Sequence, residues 1–111
     1  MSKERKRDLV REYRVRRGVY AVRCAAIGEV WASASLNLDA QQNRAWFQMR
    51  LGSHPSKSLQ AAWKAHGDDA FSFEIVAKLS DEERTPSALN ADLRALEAEW
   101  REKLGARAAT G

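Results

Sequence analysis

The sequence is poor in the residues that build covalent or metal cross-links, with one cysteine, Cys24, and two histidines, His54 and His66. A lone cysteine forms no internal disulfide, and this set cannot assemble a zinc site of four cysteines or of two cysteines and two histidines, so no structural metal is expected. Long apolar runs are missing too. Arg, Glu or Ser interrupts each apolar stretch, and none approaches the roughly 20 residues of a membrane span. The opening Met1-Ser-Lys-Glu-Arg-Lys-Arg lacks the apolar run and small-residue cleavage site of a secretory signal. No membrane partner and a cytoplasmic location are therefore expected. There is no internal repeat, low-complexity tract or interdomain linker, and 111 residues, 44% apolar and 31% charged, suit a single domain.

What is present is charge, unevenly placed within a net +4. Residues 1–17 hold eight Lys/Arg against three Asp/Glu, residues 18–66 five against two, and residues 67–104 five against ten. A basic arm joined to a mildly basic first half suits a polyanion, most plausibly nucleic acid, because each neutralised phosphate releases condensed counterions. The competing reading is a basic helix needed only for solubility.

Residues 2–17 contain no Gly or Pro and space Leu9, Val10 and Tyr13 as an amphipathic helix, with Ser2 as cap and Gly18 as stop. Val19–Ala26 reads as a strand, Ile27-Gly28-Glu29 as a turn, and Val30–Ala34 as the returning strand of a hairpin. Ser35 or Asn37 can cap a helix running to about Leu51, with Leu38, Ala45, Trp46 and Met49 near one face and Gly52 as its end. A second helix over Ser56–His66 places Leu59, Ala62 and Trp63 at i, i+3 and i+4, and Gly67 can take the left-handed position after it. The period then changes to two, with Phe71, Phe73, Ile75 and Ala77 on one side of a third strand. Thr85-Pro86 opens a last helix that carries Leu89, Leu93, Leu96, Trp100 and Leu104 as a stripe, closed by Gly105. Residues 105–111 carry no packing signal and read as a flexible tail. The expected fold is α+β, a small three-stranded antiparallel sheet flanked by helices, with an extra basic N-terminal helix.

In order and spacing, several fragments resemble the GIY-YIG nucleases. Gly18-Val19-Tyr20 is similar to the first signature, and His54 followed by Leu59-Gln60-Ala61-Ala62-Trp63 and His66-Gly67 resembles the middle of the family pattern. Phe71-Ser72-Phe73-Glu74-Ile75 looks like its third strand, and Glu97 three residues before Trp100 like its late helix. The match spans about residues 18–104. It departs where the second signature reads Trp31-Ala32-Ser33, and where the first helix carries Gln41 in place of the family's essential arginine.

The resemblance implies a DNA-binding endonuclease that hydrolyses a phosphodiester with one divalent metal, Mg2+ or Mn2+, held at Glu97. It implies that Tyr20 activates or orients the attacking water and that His54 lies near the reacting phosphate. Arg44, one turn beyond Gln41, is the candidate to supply the missing guanidinium. Candidate nucleic-acid contacts are Lys3, Arg5, Lys6, Arg7, Arg11, Arg14, Arg16 and Arg17 in the arm, with Arg50, Lys57 and Lys64 beyond it. Each has an ordinary competitor: Glu97 can simply pair with Arg94 or Arg101, Tyr20 can be a strand aromatic, and His54 a structural turn residue. The alternatives for the whole chain are a catalytically inactive nucleic-acid-binding module, or a protein-interaction domain, including a homodimer joined through the Leu9/Val10/Tyr13 face.

Overall fold

The computed structural model describes residues 15–80 and 82–109. β1 (Gly18–Cys24) and β2 (Glu29–Ser35) form an antiparallel hairpin. Its turn has Gly28 at φ 69°, a conformation that favours glycine. β3 (Phe71–Lys78) pairs antiparallel with the other side of β1, and β4 (Arg107–Ala108) pairs parallel with β2. The sheet is therefore four-stranded and mixed, in the order β3-β1-β2-β4, rather than three-stranded and antiparallel.

The extra strand corrects the reading of a loose tail. Gly105 adopts the left-handed conformation after the last helix and turns the chain back onto the outer edge of β2. There Ala109 is 1% exposed and its N–H donates to Ser33 Oγ at 2.9 Å. Two residues of strand and one buried alanine leave no periodic signal in sequence.

Alternation divides the sheet into two faces. On one, Tyr20, Val22, Cys24, Trp31, Phe71, Phe73 and Ile75 meet α1 (Leu38–Leu51) and α2 (Lys57–His66), which contribute Leu38, Ala45, Met49, Leu59, Ala62 and Trp63. Asn37 caps α1 through its side-chain oxygen, and Ser56 caps α2 in the same way. On the other face, Val19, Ala21 and Ala32 are fully buried beneath α3 (Pro86–Leu104), whose Leu93 is its most buried residue. Small side chains on β1 and β2 let this helix lie close to the strands. Gly67 has φ 79° but an extended ψ of 168°, so it feeds a short 3-10 turn, Asp68–Ala70, rather than a left-handed cap.

The predicted helix over residues 2–17 lies outside the described residues up to position 14. Its last residues are not helical: the carbonyls of Arg16 and Arg17 accept the N–H groups of Leu38 at 2.8 Å and Leu79 at 2.7 Å, which ties the entry of β1 to its neighbours. Gly18 is thus the first strand residue and not a helix stop, and its φ is not positive. Glycine is required there for a different reason: a Cβ would collide with the Ala77 carbonyl of β3.

Candidate active site at the outer edge of β2

The site forms where α3 crosses β2 beyond the short β4. A strand edge presents unpaired backbone groups, and here two α3 side chains satisfy them. Glu97 Oε2 accepts the Ala34 N–H at 2.7 Å, and Arg101 Nε donates to the Ala32 carbonyl at 2.9 Å. The two side chains are one helical turn apart and also pair with each other, Arg101 Nη2 to Glu97 Oε1 at 2.9 Å. Of the two arginines available to Glu97, the structure therefore selects Arg101. Arg101 Nη2 continues past the strand edge to Ser33 Oγ at 3.2 Å.

Ser33 is the cross-strand partner of Tyr20, so the two side chains share a face. Tyr20 is 2% exposed and stacks on Phe73 with ring centroids 5.4 Å apart. Burial pushes its phenol up to about 12, and the negative charge of Glu97 pushes the same way, while Ser33, Arg101 and Arg44 pull it down. The carboxylate and both guanidinium groups thus each act on the phenol by charge. At neutral pH Tyr20 is a protonated phenol that donates or accepts a hydrogen bond; it is not a resident base.

Gln41 occupies the position of the family arginine, and its side-chain oxygen accepts from Ser35 Oγ at 2.9 Å. Arg44 is exposed on α1 and acts on Tyr20 by charge. His54 belongs to an adjoining cluster in the loop between α1 and α2. It is buried, its backbone N–H donates to Gln60 Oε1 at 3.1 Å, and its Nδ1 accepts the Ser56 N–H at 3.0 Å. That contact puts the proton of the neutral ring on Nε2. Burial holds the imidazole below its ordinary range. Ser56 Oγ lies 3.3 Å from Ser58 Oγ, which accepts the Trp31 indole N–H at 2.9 Å. Trp31, where the second signature tyrosine is expected, is thus a fully buried wall residue.

The remaining basic candidates spread over the surface. Arg16 pairs with Asp39, whereas Lys57 is exposed at the start of α2. Arg50 and Lys64 line one groove between α1 and α2, together with Gln60 and Trp63. Lys3, Arg5, Lys6, Arg7, Arg11 and Arg14 lie outside the described residues. Sequence reasoning missed Ser33 and treated Arg101 only as a salt-bridge partner, although its i+4 spacing from Glu97 was visible.

Among the described residues no group of three His, Cys, Asp or Glu side chains converges, so an ion held at Glu97 would take most of its ligands from elsewhere. Mg2+ and Mn2+ fit that donor set, taking their other ligands from water and phosphate oxygens. Glu97 Oε1 is paired with Arg101 Nη2, so an ion held at that oxygen would have to replace the guanidinium.

The four-stranded mixed sheet, with α1 and α2 on one face and α3 on the other, has a GIY-YIG-like fold. Solved structures with this fold include the catalytic domain of the intron endonuclease I-TevI in a mutant form, with TM-score 0.68 and 18% identity over 82% of this chain and 86% of that one. The catalytic domain of homing endonuclease I-TevI gives TM-score 0.67 and 19% identity over 80% and 88%. At such identity the likeness is one of fold. No protein-family model and no curated relative matches the sequence. Among the described residues, no helix is long and apolar enough to cross a membrane.

Proposed function

We propose that this chain binds DNA and hydrolyses a phosphodiester bond at the Tyr20–Glu97 site with one Mg2+ or Mn2+. The observation that supports this reading is Glu97 held at the edge of β2 beside Arg101, with the charges of Glu97, Arg101 and Arg44 all felt by the Tyr20 phenol. Likeness of fold to a homing-endonuclease catalytic domain supports it.

Glu97 would hold the ion, which when bound lowers the pKa of a water and screens charge on the phosphate. Tyr20 would orient the attacking water through its hydroxyl, with Ser33 fixing the phenol from across the strand pair. A divalent cation beside Glu97 would cancel the negative charge that now raises the phenol, so the same hydroxyl would give up its proton more readily. Arg44 would place a cation on the substrate side of α1. Arg16, Arg17, Arg50, Lys57, Lys64 and the basic residues of the first 14 positions would contact phosphates outside the site.

A second reading, binding without hydrolysis, is favoured by two features: Gln41 supplies no guanidinium, and Arg101 neutralises Glu97. Plasmid nicking in Mg2+ or Mn2+ separates the two. Hydrolysis predicts activity that Glu97→Ala abolishes and Tyr20→Phe reduces by about 10²-fold or more. Salt-dependent DNA affinity without nicking in either metal would establish the binding module instead.

A further inference from the structure

Arg101 has a placement that pairing with Glu97 does not account for. Its Nε holds the Ala32 carbonyl, and its Nη2 holds both Ser33 Oγ and Glu97 Oε1. A guanidinium has five N–H donors. The Nη1 pair makes none of the hydrogen bonds among the described residues, and the side chain is 28% exposed, so the fork is fixed on one side and open to solvent on the other. Such pre-orientation matters because less side-chain freedom is lost when the open donors meet an oxyanion.

The two departures from the family pattern are joined at this residue. Ser33 stands where the second signature has glycine, and its hydroxyl accepts from both Arg101 Nη2 and the Ala109 N–H. A glycine there would leave both donors without that acceptor. Gln41 stands where the first helix has arginine, held by Ser35, two residues along β2 from Ser33 and therefore about 7 Å away on the same face. Position 41 of α1 carries no guanidinium, and on α3 that of Arg101 is anchored by a residue that is itself a departure.

We propose that Arg101 contacts the nucleic-acid phosphate at the Tyr20–Glu97 site, supplying from α3 a guanidinium that position 41 of α1 does not provide and adding to the charge of Arg44, and that Ser33 positions it. This rests on the reading that the site engages nucleic-acid phosphate. Glu97, Arg101 and Arg44 together leave one positive charge facing an incoming phosphate. Toward the phosphate, Ser33 acts through the fork it anchors, beside its effect on the Tyr20 phenol.

The test is a labelled DNA duplex titrated by anisotropy in EDTA across a salt series, with nicking in Mg2+ measured in parallel. Arg101→Gln is expected to weaken binding by about tenfold and to lower the slope of log affinity against log salt by about 0.9, the change that accompanies one fewer neutralised phosphate. Gln41→Arg added to Arg101→Gln is expected to restore slope and affinity, which a purely structural role for Arg101 would not allow. Arg101→Lys keeps a cation beside Glu97, and so covers the case in which Arg101→Gln fails to fold. It should keep the slope but nick at least tenfold more slowly, because an ammonium is a point charge without a fork. Wild-type binding with Arg101→Gln unchanged, a folded double variant no better than Arg101→Gln, or wild-type nicking by Arg101→Lys each overturns the assignment. A wild type that neither binds nor nicks overturns the reading of the site, and this assignment with it.

Discussion

Tyr20 and His54 are titratable residues whose environments act in opposite directions on pH stability. The phenol is raised from about 10 to about 12, so the folded state holds the proton more tightly than the unfolded chain. Stability from the neutral phenol is complete below pH 10 and is lost as pH rises through 12, a change of about 3 kcal/mol. The phenolate absorbance assigned by difference against Tyr20→Phe should therefore appear near pH 12. In Glu97→Gln, with the repelling charge removed, it should appear at lower pH. His54 is lowered by burial, so its folded form resists a proton that the unfolded chain takes up below about 6.5. Stability should fall as pH drops below that value, and His54→Asn should flatten this part of a denaturant-derived stability profile. Gly18 makes a third residue-scale prediction: Gly18→Ala should cost about 1–3 kcal/mol or more, because the added Cβ meets β3 backbone rather than a side chain that can move.

Among the elements, α3 and β4 share the task of closing the edge of β2. α3 does it with charged side chains, β4 with backbone pairing and the Ala109 N–H. Ending the chain after Gly105 removes the buried Ala109 methyl and a hydrogen bond to Ser33, at an expected cost of about 2 kcal/mol in chemical denaturation. Because Ser33 also holds Arg101, the same truncation should loosen the site as well as the fold. The helices themselves were legible in sequence from their caps and stripes: Asn37, Ser56 and Thr85 each accept the N–H three residues on, and Leu93 is buried as its spacing implied. β4 was not, since its stability comes from a neighbouring edge and not from its own composition.

For the whole molecule, the charge pattern carries the prediction. Six of the eight basic residues in positions 1–17 fall before position 15, while Arg16 is already paired with Asp39. Deleting residues 1–14 should reduce DNA affinity and flatten its salt dependence by about 0.9 for each phosphate that the arm would have neutralised, with nicking by the remaining domain still dependent on Glu97. Unchanged affinity in the shortened chain would confine the nucleic-acid contact to the described surface.

Periodicity and local chemistry alone marked β1 to β3 and α1 to α3, though not β4, and the ordered motifs marked Tyr20 and Glu97 as residues to watch. Those signals are local, set by caps, turns and alternation within a few residues. The company these residues keep was decided only by tertiary structure: Arg101 reaching past a strand edge, Ser33 anchoring it, Gln41 tied to Ser35, and His54 turned toward Ser56 and Gln60. Those at the β2 edge, with the Ala109 N–H on Ser33 among them, join positions as far as 76 residues apart in the chain, because unpaired groups there must find partners wherever packing brings them.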